Sequence, residues 1–87
     1  KAVMLQTVYP NPFSDKVELA ITTEHAGILS IRLYDGNGKL AVSKDVKGIA
    51  GLNTITLNGL HDLQTGTYFI DVSGTIHILG AKLVKER

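Results

Sequence analysis

The stretch Val8-Tyr9-Pro10-Asn11-Pro12-Phe13-Ser14-Asp15-Lys16-Val17 holds both prolines of this 87-residue chain, one on each side of a single asparagine. Proline fixes φ, offers no N–H and biases the residue before it to extended geometry. Tyr9 and Asn11 are therefore drawn to extended conformations, and no sheet ladder can run through positions 10–12. A strand ends here, a stiff corner follows and a new strand starts near Asp15. The strand ahead of the corner belongs at a sheet edge, because a proline at its end blocks further pairing.

Working outward from the corner, the hydrophobic period is two nearly everywhere, which argues strands rather than helices. Val17, Leu19 and Ile21 alternate with Lys16, Glu18, Ala20 and Thr22. Leu29, Ile31 and Leu33 alternate with Ser30, Arg32 and Tyr34, and Tyr68, Ile70 and Val72 with Thr67, Phe69, Asp71 and Ser73. Weaker alternation runs through 3–8, 39–46 and 52–57. A last strand begins at Thr75-Ile76-His77-Ile78, loses phase at Leu79-Gly80-Ala81 and resumes in Lys82-Leu83-Val84-Lys85. A glycine at such a break predicts a bulge.

Turn chemistry separates these runs. Thr23–Gly27 is a short link, and Asp35-Gly36-Asn37-Gly38 suits a tight hairpin because its residues tolerate φ > 0. Lys47–Gly51 reads as a flexible connection, and Ser73-Gly74 as a two-residue hairpin turn. Asn58 through Gly66 is the longest loop, carrying Leu60 and Leu63 to plug one end of the core. About seven short strands at roughly ten-residue spacing predict an all-β fold, an immunoglobulin-like antiparallel β-sandwich.

Composition narrows the function. Nine Lys plus Arg stand against eight Asp plus Glu, so no basic excess drives binding to a phosphate backbone. Three tyrosines, two phenylalanines and no tryptophan make a thin stacking platform, and nucleic acid is not expected as a partner. Cysteine is absent, so the fold must hold by its core alone. No apolar run nears the roughly 20 residues of a transmembrane segment. Residue 1 is Lys, and the chain reads as a fragment of a longer protein.

Few residues invite chemistry. His25, His61 and His77 lack a second His or Cys at ligand spacing, so no metal or cofactor is expected. Asp35-Gly36-Asn37-Gly38-Lys39 resembles the opening of a calcium loop, but Lys39 puts a cation at its fifth position and Val46 takes the place of the bidentate Glu. Ser14, Ser30, Ser43 and Ser73 lie in no nucleophile elbow, and the pairs Asp62/Asp71 and Asp15/Glu18 are explained by turns and solvated strand faces. The chain is read as a non-enzyme. Lys82, Lys85 and Arg87 crowd the end, either protecting an edge strand from aggregation or forming a docking surface, by charge or by strand addition.

Over nearly its whole length the chain resembles the type IX secretion (Por secretion) C-terminal sorting domain, type A. The resemblance rests on Tyr9-Pro10-Asn11-Pro12, on Leu33-Tyr34-Asp35 with Gly38-Lys39, on Leu63, Gly66 and Tyr68, and on Lys82-Leu83-Val84-Lys85. Glu86-Arg87 and Gly80 depart from the family pattern. The resemblance implies one sorting domain over 1–87, with an upstream cargo in the same chain. It implies recognition by an outer-membrane translocon, cleavage by a surface sortase, and passage through the periplasm to the cell surface or medium. The residues it marks for recognition are Pro10, Asn11, Pro12, Gly66, Tyr68, Lys82, Leu83, Val84 and Lys85. A second family is also similar: Asn11-Pro12-Phe13 and Gly66-Thr67-Tyr68-Phe69 fit immunoglobulin- or fibronectin-like modules that serve as structural or adhesive spacers beside secreted enzymes.

Overall fold

The computed structural model describes residues 3–74 and 78–86. They form seven strands: β1 (Val3–Tyr9), β2 (Val17–Thr23), β3 (Gly27–Asp35), β4 (Leu40–Gly48), β5 (Gly51–Leu57), β6 (Gly66–Ser73) and β7 (Ile78–Lys85). One sheet has the order β1-β2-β5 and the other β4-β3-β6-β7, with every pairing antiparallel. The chain changes sheet after β2, after β4 and after β5, so the two sheets are stitched into one sandwich, as the alternation predicts.

The inward set is the one the period of two selects. Val17, Leu19 and Ile21 from β2 meet Leu29, Ile31 and Leu33 from β3 and Ile70 and Val72 from β6. Phe13 and Leu60, which belong to no strand, close one end of this core, with Leu63 packed beside them. β1 lies at a sheet edge, and its ladder stops at the pair Tyr9↔Glu18, directly before the first proline. The Asp35 hairpin also forms as expected. Asp35 Oδ1 accepts the Asn37 and Lys39 N–H groups at 2.9 Å each, so this carboxylate fastens the turn.

Three expectations are corrected. The bulge predicted at Gly80 is absent: β6 and β7 pair without a shift from Gly66↔Lys85 to Ser73↔Ile78. Gly80 faces Asp71, and a Cβ there would lie 3.0 Å from Asp71 Oδ1, so the glycine makes room for that side chain. The register shifts fall instead at Gln6, between Leu5 and Thr7, and at Ala41, between the pairs Leu33↔Val42 and Tyr34↔Leu40. Ser73-Gly74 is not a two-residue turn, because Ser73 pairs with Ile78 and the connection runs over 74–77. The strand start predicted at Thr75-Ile76-His77 lies outside the described residues.

The third correction concerns Lys47–Gly51. Only Ile49 and Ala50 separate β4 from β5, and Asn53 pins them. Asn53 Oδ1 accepts the Ile49 N–H (2.8 Å), while Nδ2 donates towards Ile49 O (3.0 Å), Gly51 O (3.2 Å) and Ile21 O (3.3 Å). Thr23 Oγ1 adds its hydroxyl, 2.8 Å from Ile49 O and 3.0 Å from His25 O. A buried amide surrounded by carbonyls holds a tight crossover where a loose one was expected.

Candidate functional site

β7 is the edge strand of the four-stranded sheet, and in an antiparallel ladder alternate residues aim their N–H and C=O away from the neighbour. On the last part of β7 these outward groups belong to Lys82 and Val84, and beyond the strand to Glu86. The double-proline corner occupies four of them. Asn11 Oδ1 accepts the Val84 N–H (2.9 Å), and Asn11 Nδ2 donates to Lys82 O (3.3 Å). Phe13 N–H donates to Val84 O and Phe13 O accepts the Glu86 N–H, each at 2.8 Å, forming a parallel bridge between Phe13 and Lys85.

The chemistry explains the residue types. Pro10 and Pro12 have no N–H to offer an edge, so the amide of the asparagine between them stands in for a peptide group. The Tyr9–Pro10 and Asn11–Pro12 bonds are both cis. The Asn11 amide and the Phe13 backbone together make a short false strand that covers the last part of β7. Asn11→Ala should therefore speed hydrogen exchange of the Val84 amide by about 2- to 10-fold, the worth of one exposed backbone bond. An unchanged rate, read by NMR or mass spectrometry, would show that the side chain holds nothing.

The same corner organises its surroundings. Asp15 O accepts the Leu60 N–H at 2.8 Å, anchoring the long loop that precedes β6. The Phe13 ring meets Tyr68 edge-on, with centroids 5.9 Å apart and planes at 70°. Tyr68 Oη donates to Gln64 O at 2.8 Å and so ties the loop to the first turn of β6. Burial, with a smaller contribution from the Asp35 carboxylate, holds the Tyr68 phenol above its ordinary value. The fold therefore favours the protonated form; this support is complete below about pH 10 and is lost as the pH climbs beyond it. Gly66 opens β6 at φ +141°, a conformation side-chain-bearing residues rarely adopt, and pairs with Lys85.

All the residues marked in the sequence thus lie within one end of the molecule, but they do not all face outward. Leu83 is 1% exposed, Lys85 3% and Tyr68 5%. Lys85 folds its ammonium back to donate to Glu86 O (2.8 Å). Pro10, Asn11, Pro12, Lys82 and Val84 are exposed, as is Gly66. Strand addition to β7 between Lys82 and Glu86 is blocked, because the corner already uses those backbone groups. Arg87 lies outside the described residues.

Beside this end, an open depression of about 490 Å³ runs between the β3–β4 turn and the loop before β6, lined in part by Asp35, Lys39, Gln64 and Thr67. Of its two acids, Asp35 is already committed to two turn amides, and Asp62 lies 3.1 Å from His61 Nε2. Among the described residues no helix is long and apolar enough to cross a membrane.

The fold is thus a β-sandwich in which the last part of an edge strand is covered by the chain's own proline corner. The chain belongs to the secretion system C-terminal sorting domain family, whose sequence profile matches residues 7–86. It is a sorting signal of type IX secretion, which marks proteins for export across the outer membrane to the cell surface or the extracellular space. Such a signal works with the type IX machinery on an upstream cargo, and sorting-signal domains are generally non-catalytic.

Among solved structures, the chain is similar to part of a β-glucosidase from Kluyveromyces marxianus, with a TM-score of 0.62 at 13% identity over 98% of this chain and 14% of that one. It is similar also to part of a β-glucosidase from Erythrobacter marinus, with a TM-score of 0.61 at 9% identity over 98% and 15%. The chain spans only that small share of either enzyme, and at such identity the likeness concerns the fold alone. No curated protein matches the chain significantly.

Proposed function

We propose that residues 1–87 act as one folded unit that an outer-membrane translocon reads, and that a surface sortase then severs the chain upstream of it. The observation that carries this reading is the lock between Asn11 and β7, which joins positions 71 and 73 residues apart. The surface composed of Pro10, Asn11, Pro12, Lys82 and Val84 exists only once both sheets have formed. A receptor reading it tests folding as well as identity. In this reading Gly66, Tyr68, Leu83 and Lys85 build the shape, and the exposed Pro10, Asn11, Pro12, Lys82 and Val84 are touched.

The experiment is a fluorescent reporter fused ahead of residues 1–87, expressed in cells with and without a working translocon. The reporter is expected at the cell surface or in the medium in the first case and in the periplasm in the second. Equal delivery in both strains would reject the reading. Deleting 82–87 is a poorer test, because it removes buried Leu83 and Lys85 and thereby the fold.

A further inference from the structure

The corner closes the last part of the β7 edge but leaves the outer face of its sheet open. Register places Leu40, Tyr34, Phe69 and Lys82 in one row across β4, β3, β6 and β7. Directly opposed residues share a face, so this row spans about 14 Å at ~4.8 Å per strand. Leu40 is 46% exposed and Phe69 43%, with Tyr34 half-buried between them. Val84, 40% exposed, adjoins the row on β7. Three neighbouring apolar side chains on one face are costly to leave in water without a purpose.

We propose that this row is the docking surface for a protein of the export machinery, one that presents an apolar ridge ending in a carboxylate. The proposal rests on the sorting role above and assigns that role a surface. Charge selects the occupant. Arg32 in the next row stands opposite Asp71, but Lys82, at the end of the apolar row, has no ion-pair partner among the described residues. A partner carboxylate placed there completes the row. A second copy of this chain does not: stacked face to face, its row sets Lys82 against either Leu40 or another Lys82. The surface is also continuous with Lys82 and Val84, the outward residues of the last strand.

The test uses the reporter fusion with Phe69→Asp, with Lys82→Glu and with Leu52→Asp, the last on the outer face of the other sheet at 56% exposure. Export is expected to fall about tenfold or more for the first two, as for the anchor of an interface, and to persist for Leu52→Asp. Melting of the 87-residue chain checks that each variant folds, and the exposed Lys82→Glu keeps the test readable should Phe69→Asp unfold. A benzoylphenylalanine at position 69 should crosslink to an outer-membrane component, and at position 52 should not. If the unaltered tag exports the reporter and both face variants export equally well, the docking face is wrong while the sorting role stands. Equal loss in all three variants also overturns it, as does a dimer in sedimentation that Phe69→Asp abolishes. If the unaltered tag leaves the reporter in the periplasm, the sorting role falls and the docking face with it.

Discussion

Replacing Phe13 by alanine is expected to lower the unfolding free energy by about 3–5 kcal/mol, the usual loss for a fully enclosed phenylalanine. Phe13 is 0% exposed and sits where no strand passes, so nothing can slide in to fill the space. Its ring supports Tyr68 edge-on, and its backbone supplies two of the bonds that cover β7. Small domains hold roughly 5–15 kcal/mol in all, so the variant stands near the limit of folding. Urea titration measures the loss as a lower midpoint at unchanged slope. Phe13→Leu, which keeps most of the volume, should cost less than about 1.5 kcal/mol. A loss under about 1 kcal/mol for the alanine variant would mean that the corner is an ornament on an independently stable sandwich.

That expectation changes what the family motif means. Asparagine between two prolines reads most simply as a surface label, yet its amide is already bonded to the molecule's own last strand. The leucine, glycine and tyrosine before and within β6 serve packing, a positive φ and a loop anchor. Much of the motif therefore specifies a shape. A mutation in Leu83 or Tyr68 that stops export says little about contact with a receptor, because it acts on the core first. Lys82 and Phe69 are the informative positions, since both can change without opening a cavity.

The sequence made some of this legible and hid the rest for physical reasons. The corner was readable because the missing N–H of proline is a covalent fact, independent of any partner. The inward faces of β2, β3 and β6 were readable because a pleated strand alternates whatever its neighbours do. The partner of Asn11 was not, since it lies more than 70 residues away in sequence and only the folded sheet brings it near. Gly80 looked like a phase break because two small residues follow Leu79, but Ala81, Leu83 and Lys85 keep the inward phase through it. The true shifts at Gln6 and Ala41 carry no glycine or proline to announce them. Lys85 misled in another way: a charge at a chain end reads as surface, and here its ammonium turns back to a carbonyl. Tyr34 and Phe69 stood openly in the outward phase of their strands. That they are neighbours is a matter of register, which no single strand contains.

Asn53 offers the second large effect, and one with a sign that can be checked by pH. Its side chain is nearly buried, with carbonyl oxygens of Ile21, Ile49 and Gly51 arrayed about its NH2 group. Asn53→Asp keeps the shape and turns those donors into an acceptor. An ionised carboxylate facing three carbonyls at the β4–β5 crossover is expected to cost about 3 kcal/mol or more near neutral pH. The protonated acid recovers one O–H donor, so the fold favours it and raises its pKa above the unfolded value of about 3.9. A folded pKa above the unfolded one means that the deficit is smallest below about pH 4 and deepens as the pH rises through the folded value. Asn53→Ala loses the same bonds without gaining a charge, so its deficit relative to the parent should not vary with pH. Urea midpoints of parent and both variants, taken at acid and neutral pH, separate the two cases. A deficit for Asn53→Asp that is equal at both would show that the crossover opens to water, and that the amide does not hold the two sheets in place.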